Sequence, residues 1–76
     1  MDDWMSKEER QFLEDEWHRI QDRKAILAEI EQKLMQMRDL AIEATQQSLS
    51  SEERYVLNDE FQQLQREVNQ LYDQLY

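Results

Sequence analysis

Apolar residues recur at steps of three and four through most of this chain, which is the spacing of one face of an α-helix. The first series contains Leu13, Trp17, Ile20, Leu27, Ile30, Leu34, Met37, Ala41 and Ala44. The second contains Leu57, Phe61, Leu64, Val68, Leu71 and Leu75. The second series alternates four and three without a break, as a coiled-coil seam does. The pattern predicts an all-α chain built from two helices.

Two serine residues mark the expected helix starts. Ser6 is followed three positions later by Glu9, and Ser50 by Glu53, so each pair can form a capping box. The sequence has no glycine and no proline, the residues that most readily end or kink a helix. Only residues 45–51, rich in hydroxyl and amide side chains, suit a connection. We therefore predict helices over about residues 6–47 and 50–76, after a flexible terminus at residues 1–5.

A short connection between two apolar stripes favours a long antiparallel helical hairpin. The residues expected in its seam are Leu34, Met37, Leu57, Phe61, Leu64 and Val68. The second helix is too short to cover the first completely. The residues left for a partner interface are Phe12, Leu13, Trp17 and Ile20. Dimerisation through this end would give a four-helix bundle, whereas a turn near residues 21–25 would bury the same residues in a compact three-helix bundle.

Composition and charge exclude several classes of function. Eighteen acidic and nine basic residues give a formal charge of −9, and no basic stripe is available to bind nucleic acid or an anionic membrane. No apolar run could span a membrane, and the amino terminus does not resemble a cleaved signal. With no cysteine and only His18, no metal or other cofactor is predicted. We expect a single helical domain, residues 1–76, in the cytoplasm.

No combination of side chains indicates catalysis. Adjacent carboxylates such as Asp15 and Glu16 point about 100° apart on a helix, and the serines of the connection have no histidine partner within sequence reach. A core formed by 76 residues is also small, which makes oligomerisation an expected source of stability. We predict a protein that is not an enzyme and acts through protein contacts, including contacts with its own copies.

Residues 5–21 resemble residues 49–65 of the same chain. Eight of the 17 aligned positions are identical. The identical pairs include Ser6 and Ser50, Arg10 and Arg54, and Leu13 and Leu57. Any two capped amphipathic helices would share a capping box and an apolar stripe, but these features do not explain the identical arginine. We interpret residues 6–27 and 50–71 as an internal repeat, so the two segments are expected to present similar faces.

The hairpin region resembles the bacterial flagellins. Residues 34–44 read LMQMRDLAIEA and residues 49–54 read LSSEER, which are similar to the flagellin pattern LQRMRELAVQA followed by LSDEDR. Residues 58–64 and 67–71 continue the match, so the resemblance covers about residues 34–71. It implies the amino-terminal part of the flagellin inner helical domain, where a long helix and a shorter antiparallel helix pack with a carboxy-terminal helix. Where flagellins contact an innate Toll-like receptor, Arg38, Leu40 and Glu60 match but Gln36 replaces an arginine, so no receptor-binding residue is carried over.

The resemblance suggests a function in the flagellar system. Other flagellin segments, including the outer domains and the carboxy-terminal helices, have no counterpart in these 76 residues. We therefore expect an interaction module that binds flagellin or a flagellar assembly component, and not a complete filament subunit. Two alternatives remain open: a small acidic regulator or mimic that binds a basic protein surface and is unrelated to motility, and a designed or excised flagellin-like fragment.

Overall fold

The structure, a computed structural model, describes residues 4–76. These residues form two α-helices, α1 (Lys7–Glu43) and α2 (Ser51–Leu75), which pack against each other in an antiparallel hairpin measuring 69 × 20 × 11 Å. The predicted all-α hairpin is confirmed. The three-helix alternative is wrong, because α1 continues unbroken through residues 21–25, where the sequence has no glycine or proline to end a helix. Residues 1–3 of the predicted flexible terminus lie outside the described residues.

Both helices begin with the predicted capping box. The hydroxyl oxygens of Ser6 and Ser50 accept hydrogen bonds from the amides of Glu9 and Glu53, each at 3.1 Å. In return, each glutamate carboxylate accepts a hydrogen bond from the serine amide, at 3.0 and 3.1 Å. These hydrogen bonds stabilise the charged carboxylates and lower the pKa of both glutamates. Amide groups that have no partner within the helix are thereby satisfied at both helix starts.

The turn between the helices is held by side chains. The Thr45 hydroxyl donates a 2.6 Å hydrogen bond to the carbonyl of Ile42, and Arg54 donates to the carbonyls of Ala44 and Gln46 at 3.2 and 3.1 Å. No residue between 4 and 76 adopts a positive φ. The last turn of α1 contains no basic residue, so Arg54 of α2 brings positive charge to the negative end of the α1 dipole. These contacts end α1 at Glu43, before the predicted end near residue 47.

The seam between the helices is a narrow apolar contact. Ile30, Val68 and Leu71 form its buried cluster, and Leu57 is buried closer to the turn. The α1 side of the seam consists of Ile26, Ile30, Lys33, Met37, Leu40 and Ala44, all buried or half-buried. The α2 side consists of Leu57, Phe61, Leu64, Val68, Leu71 and Leu75, also buried or half-buried. Both sides alternate four and three residues, which indicates coiled-coil-like packing.

Leu34 departs from the seam in which it was expected. Its side chain is 44% exposed, and the neighbouring Lys33 faces α2 instead, with its Nζ atom 2.9 Å from the Glu67 carboxylate. The physical reason is that the apolar arc of α1 is wider than one stripe. The helix α2 packs on the side of that arc that includes Ile26 and Leu40, so the opposite side, including Leu34, faces solvent.

Candidate interaction surface

Within residues 4–76, no second helix covers the first half of α1. Ile26 is the first α1 residue in the apolar packing of the seam, and Leu75, near the end of α2, packs against the same cluster. Residues 7–25, which we call the arm, extend beyond this point for about 28 Å at 1.5 Å per residue. The long uncovered helix accounts for the elongated shape of the molecule, whose radius of gyration is 20.6 Å.

The four residues expected at a partner interface all lie on the arm and are all exposed. Leu13, Trp17 and Ile20 are spaced by four and three, so they share one side of the helix, which we call the arm face. Phe12 lies about 100° away from Leu13 around the helix. Fourteen residues, or two heptads, separate Phe12 from Ile26, so Phe12 lies on the seam side of α1. The structure therefore divides the expected interface between two sides of the arm.

A shallow groove of about 390 Å³ lies on the arm face. Its lining residues are Trp4, Met5, Arg10, Leu13, Glu14, Trp17 and His18. Four of them, from Arg10 to Trp17, stand at positions i, i+3, i+4 and i+7, the arrangement of the hole that receives one side chain of a partner helix in knobs-into-holes packing. The Trp17 and His18 rings meet edge to face with their centres 5.3 Å apart. The groove has the shape and the apolar walls suited to a second helix.

A charged pair fixes the relation of the two helices on one side of the seam. Lys33 donates a 2.9 Å hydrogen bond to Glu67, which also accepts one of 3.0 Å from Gln63. The hydrogen bond to Glu67 raises the pKa of Lys33, and the bonds from Lys33 and then Gln63 lower the pKa of Glu67. Both side chains are partly shielded from water by the packed helices. The pair holds Lys33 in a position that an apolar residue would otherwise occupy.

The same side of the hairpin contains a second groove, between the helices, of about 530 Å³. Its lining residues are Gln36, Asp39, Leu40, Glu43, Asp59, Glu60, Gln63 and Leu64. The structure thus brings together Leu40 and Glu60, which match the flagellin positions named above, and Gln36, which replaces an arginine. Arg38 is not in the lining, and its guanidinium lies 3.6 Å from the carboxylate of Asp39. The groove is open and has acidic walls.

Two functional features were not identified from the sequence. Lys33 was not assigned to the seam, because a charged residue dilutes an apolar pattern. Arg54 was assigned to the internal repeat and to the flagellin-like segment LSSEER but not to the turn, because its role there depends on carbonyls eight and ten residues earlier. Among the described residues, no three His, Cys, Asp or Glu side chains are placed to hold a metal ion. No helix within that same part of the chain is long and apolar enough to cross a membrane.

A family model of the bacterial flagellin N-terminal helical region matches residues 11–76. The chain belongs to this family. The match confirms the resemblance and extends it beyond residues 34–71, over all of α2 and most of α1, including the arm face. The family is structural and non-enzymatic, and its members act through protein–protein assembly. Searches of curated proteins and of solved structures gave no significant match.

Proposed function

We propose that this chain is a non-enzymatic interaction module of the flagellar system, whose arm packs against a helix of flagellin or of a flagellar assembly component. The exposed arm face carries the proposal. Trp17 is 57% exposed and Ile20 is 59% exposed on a helix that nothing within residues 4–76 covers. Large aromatic and aliphatic side chains grouped in this way are typical of interface centres. Membership of the flagellin family supports a flagellar partner.

The geometry of the arm favours a helical partner. Leu13, Trp17 and Ile20 have the same four-three spacing as the seam of the hairpin, but in a separate row on α1. The groove beside them is shallow, and it suits a row of side chains better than an enclosed small molecule. The proposed partner element is therefore an amphipathic helix that lies along the arm. We place this interaction in the cytoplasm, because a cysteine-free chain has no need of an oxidising compartment.

Two isoleucines of α1 provide a matched test. Ile20 on the arm face is 59% exposed, and Ile42 near the turn is 58% exposed. Binding of purified flagellin is measured by isothermal titration calorimetry for Ile20→Ala and Ile42→Ala. We expect Ile20→Ala to weaken binding about tenfold, through the loss of buried methylene groups, and Ile42→Ala to leave it unchanged.

The protein is also used as bait in a lysate of motile cells. The proposal requires retention of flagellin or of a flagellar export component, with retention reduced by Ile20→Ala. Failure to retain any flagellar protein would refute the flagellar role. Equal effects of the two isoleucine variants would show that the arm face is not the binding surface.

A second candidate function is supported by the acidic groove between the helices. Asp39, Glu43, Asp59 and Glu60 surround Leu40 and Leu64 there, which would suit a basic amphipathic segment of a regulated protein. In this case affinity should fall steeply as salt rises. Asp59→Asn combined with Glu60→Gln should weaken binding, while Ile20→Ala should not. The opposite pattern of variant effects would favour the arm.

A further inference from the structure

We propose that, in the isolated protein, the arm face is covered by the arm of a second copy, in an antiparallel dimer that sets Trp17 of each copy against Ile20 of the other. This inference rests on the proposed function, because both use the arm face as the binding surface. It adds that a second copy of the chain occupies that face when no other partner is present. It also goes further than a general oligomeric state, because the side chains of the arm define one pairing register.

The charge of the arm is compatible with self-association, although the whole chain has a charge of −9. Residues 7–25 contain six acidic and five basic side chains, a net charge of −1. Residues 26–76 contain ten acidic and four basic side chains, a net charge of −6. The repulsion between two copies is therefore concentrated in the hairpin halves. In an antiparallel pairing of arms, these halves point to opposite ends of the dimer.

The apolar spacing of the arm is self-complementary. Leu13, Trp17, Ile20 and Lys24 follow one another by four, three and four residues. In an antiparallel pair, Trp17 of one copy can lie opposite Ile20 of the other, and Leu13 opposite Lys24. A two-fold axis then passes between residues 18 and 19, and each contact occurs twice, as in an isologous interface. The most apolar layers lie at the centre of this register.

The charges beside the apolar row select this register. Glu16 stands one residue before Trp17, and Arg23 stands three residues after Ile20, so in the proposed pairing Glu16 of each copy faces Arg23 of the other. A shift of one heptad would instead place Arg23 against Arg23. A parallel pairing in register would place Lys24 against Lys24. Opposite charges therefore favour the proposed arrangement, and like charges disfavour these alternatives.

The described geometry leaves Glu16 able to make this contact. Its Oε1 atom accepts a 2.7 Å hydrogen bond from Arg19 of its own helix, and the carboxylate has a second oxygen atom available for a further donor. Arg19 lies further around the helix from the arm face than Glu16 does, so the contact with the second copy would use this second oxygen atom. The pair lies at the edge of the interface, where it contributes more to specificity than to affinity.

The groove on the arm face suits the lysine of the second copy. In the proposed register, Lys24 lies over the hole formed by Leu13, Trp17 and their neighbours. The aliphatic stem of a lysine can pack on such apolar walls while its ammonium group stays at the edge. Arg10 and Glu14 both line the groove, so the Glu14 carboxylate offsets the like charge of Arg10 beside the incoming ammonium group, and Trp17 supplies an aromatic face. The one charged residue in the apolar row is therefore accommodated.

The hairpin does not obstruct the dimer. The arm face is shifted by one heptad position from the seam, which turns it by about 100° around α1. Leu75, near the end of α2, packs against the same apolar cluster as Ile26, just beyond the residues that pair in the dimer. Two copies can therefore overlap over residues 13–24, each with its own α2 lying outside the overlap.

The proposal is tested with charge reversals, with mass measured by multi-angle light scattering and sedimentation equilibrium at protein concentrations up to about 1 mM. The wild type should reach twice its 9.4 kDa chain mass. Glu16→Arg and Arg23→Glu should each raise the dimer dissociation constant at least about tenfold, because each creates two like-charge contacts. An equimolar mixture of the two variants should dimerise again, since every contact is then between opposite charges. Asp22→Arg, on the outer side of the arm, is the control for the same change in charge.

A wild type that stays monomeric over this range overturns the proposal. So does a dimer that is insensitive to both reversals, or a mixture of the variants that remains monomeric while circular dichroism shows folded helices. Titration of the same samples with flagellin shows whether a failure concerns the dimer or the proposed flagellar function. A monomer that binds flagellin contradicts only the dimer, whereas a dimer that binds no flagellar protein contradicts only the flagellar role.

Discussion

The two halves of α1 form one continuous helix, but different forces stabilise them. In the seam half, Ile30 is 4% exposed and packs against Val68 and Leu71 of α2. In the arm, Ile20 is 59% exposed, and the helix is supported by local features: the Ser6 cap, the bond from Gln11 to Asp15, and the absence of glycine and proline. Such local terms each contribute only tenths of a kcal/mol to about 1 kcal/mol. The comparison shows that a helix can continue past its core on local features alone.

The largest expected difference between the halves is at their isoleucines. Ile30→Ala should reduce the free energy of unfolding by about 2–5 kcal/mol, which is comparable with the whole stability of a core this small. Ile20→Ala should change it by less than about 0.5 kcal/mol at concentrations where the protein is monomeric. Urea denaturation followed by circular dichroism measures both. Similar losses for the two variants would mean that the arm is buried in the folded monomer.

The turn provides the next largest effect. Arg54→Met keeps most of the apolar stem but removes the hydrogen bonds to the carbonyls of Ala44 and Gln46, which should cost about 1 kcal/mol. Arg66→Met is the control, because the hydrogen bond of Arg66 to Gln63 lies within α2. Denaturant midpoints of the two variants give the comparison. An equal loss in both would indicate that arginine on α2 acts only through general charge.

The two capping boxes have the same geometry but lie in different halves. Ser50→Ala should lower the free energy of unfolding by about 1 kcal/mol, because this cap satisfies the first amides of a helix that packs along the seam. Ser6→Ala should instead raise the rate of amide hydrogen exchange in the first turns of the arm, with little change in global stability. Hydrogen exchange measures the local effect of each variant, and urea denaturation measures its effect on global stability. Global destabilisation by Ser6→Ala would show that the arm and the hairpin unfold as one unit.

The smallest expected effect is the pH dependence of the Lys33–Glu67 pair. The pKa of Glu67 is lowered from 4.5, so its carboxylate stabilises the fold above that pH and loses this contribution as the pH falls through the folded-state value. The stability difference between wild type and Glu67→Gln should be constant near neutral pH and should shrink in acid. The pKa of Lys33 is raised above 10.5, so its contribution is complete below that pH and declines as the pH rises through the raised value.

A carboxylate of the arm provides a comparison that shows whether this pH effect comes from the contact between the helices. Glu9 also has a lowered pKa, but its hydrogen bonds are to Ser6 in the same capping box. Its protonation should therefore reduce helix content in the arm without changing the packing of α2. Nuclear magnetic resonance titration of both glutamates, with urea midpoints at each pH, checks the distinction. A difference between wild type and Glu67→Gln that stays constant through the acid range would contradict the assignment.

Local signals predicted much of the fold from the sequence. The helix starts follow from Ser6 and Ser50, because a capping box is contained within four residues. The α2 side of the seam follows from unbroken four-three spacing, which leaves one apolar face to bury. The exposure of the arm could be anticipated because α2 is shorter than α1 and no glycine or proline interrupts α1. Each of these features depends on residues close together in the chain.

The features that were not predicted depend on contacts between the helices. The apolar arc of α1 offers two packing sides, one with Leu34 and one with Leu40, and spacing alone does not choose between them. α2 packs on the side with Leu40, where Lys33 pairs with Glu67, 34 residues away in the sequence. In the same way, the end of α1 at Glu43 depends on Arg54, which reaches back from the other helix. Phe12 was expected beside Leu13 at the partner interface, but rotation around the helix places it on the seam side.

The hydrogen bonds of Arg54 also have a consequence for the order of folding. They join residues only eight and ten positions apart, so they close a short loop at a small entropic cost, before contacts such as Ile30 with Val68 can form. We expect the hairpin to begin folding at the turn and to close towards Ile26 and Leu75. In stopped-flow experiments, Arg54→Met should then mainly slow refolding, whereas Leu71→Ala should mainly accelerate unfolding. The arm takes no part in this closure, and its apolar side chains are still exposed to a partner when the hairpin is complete.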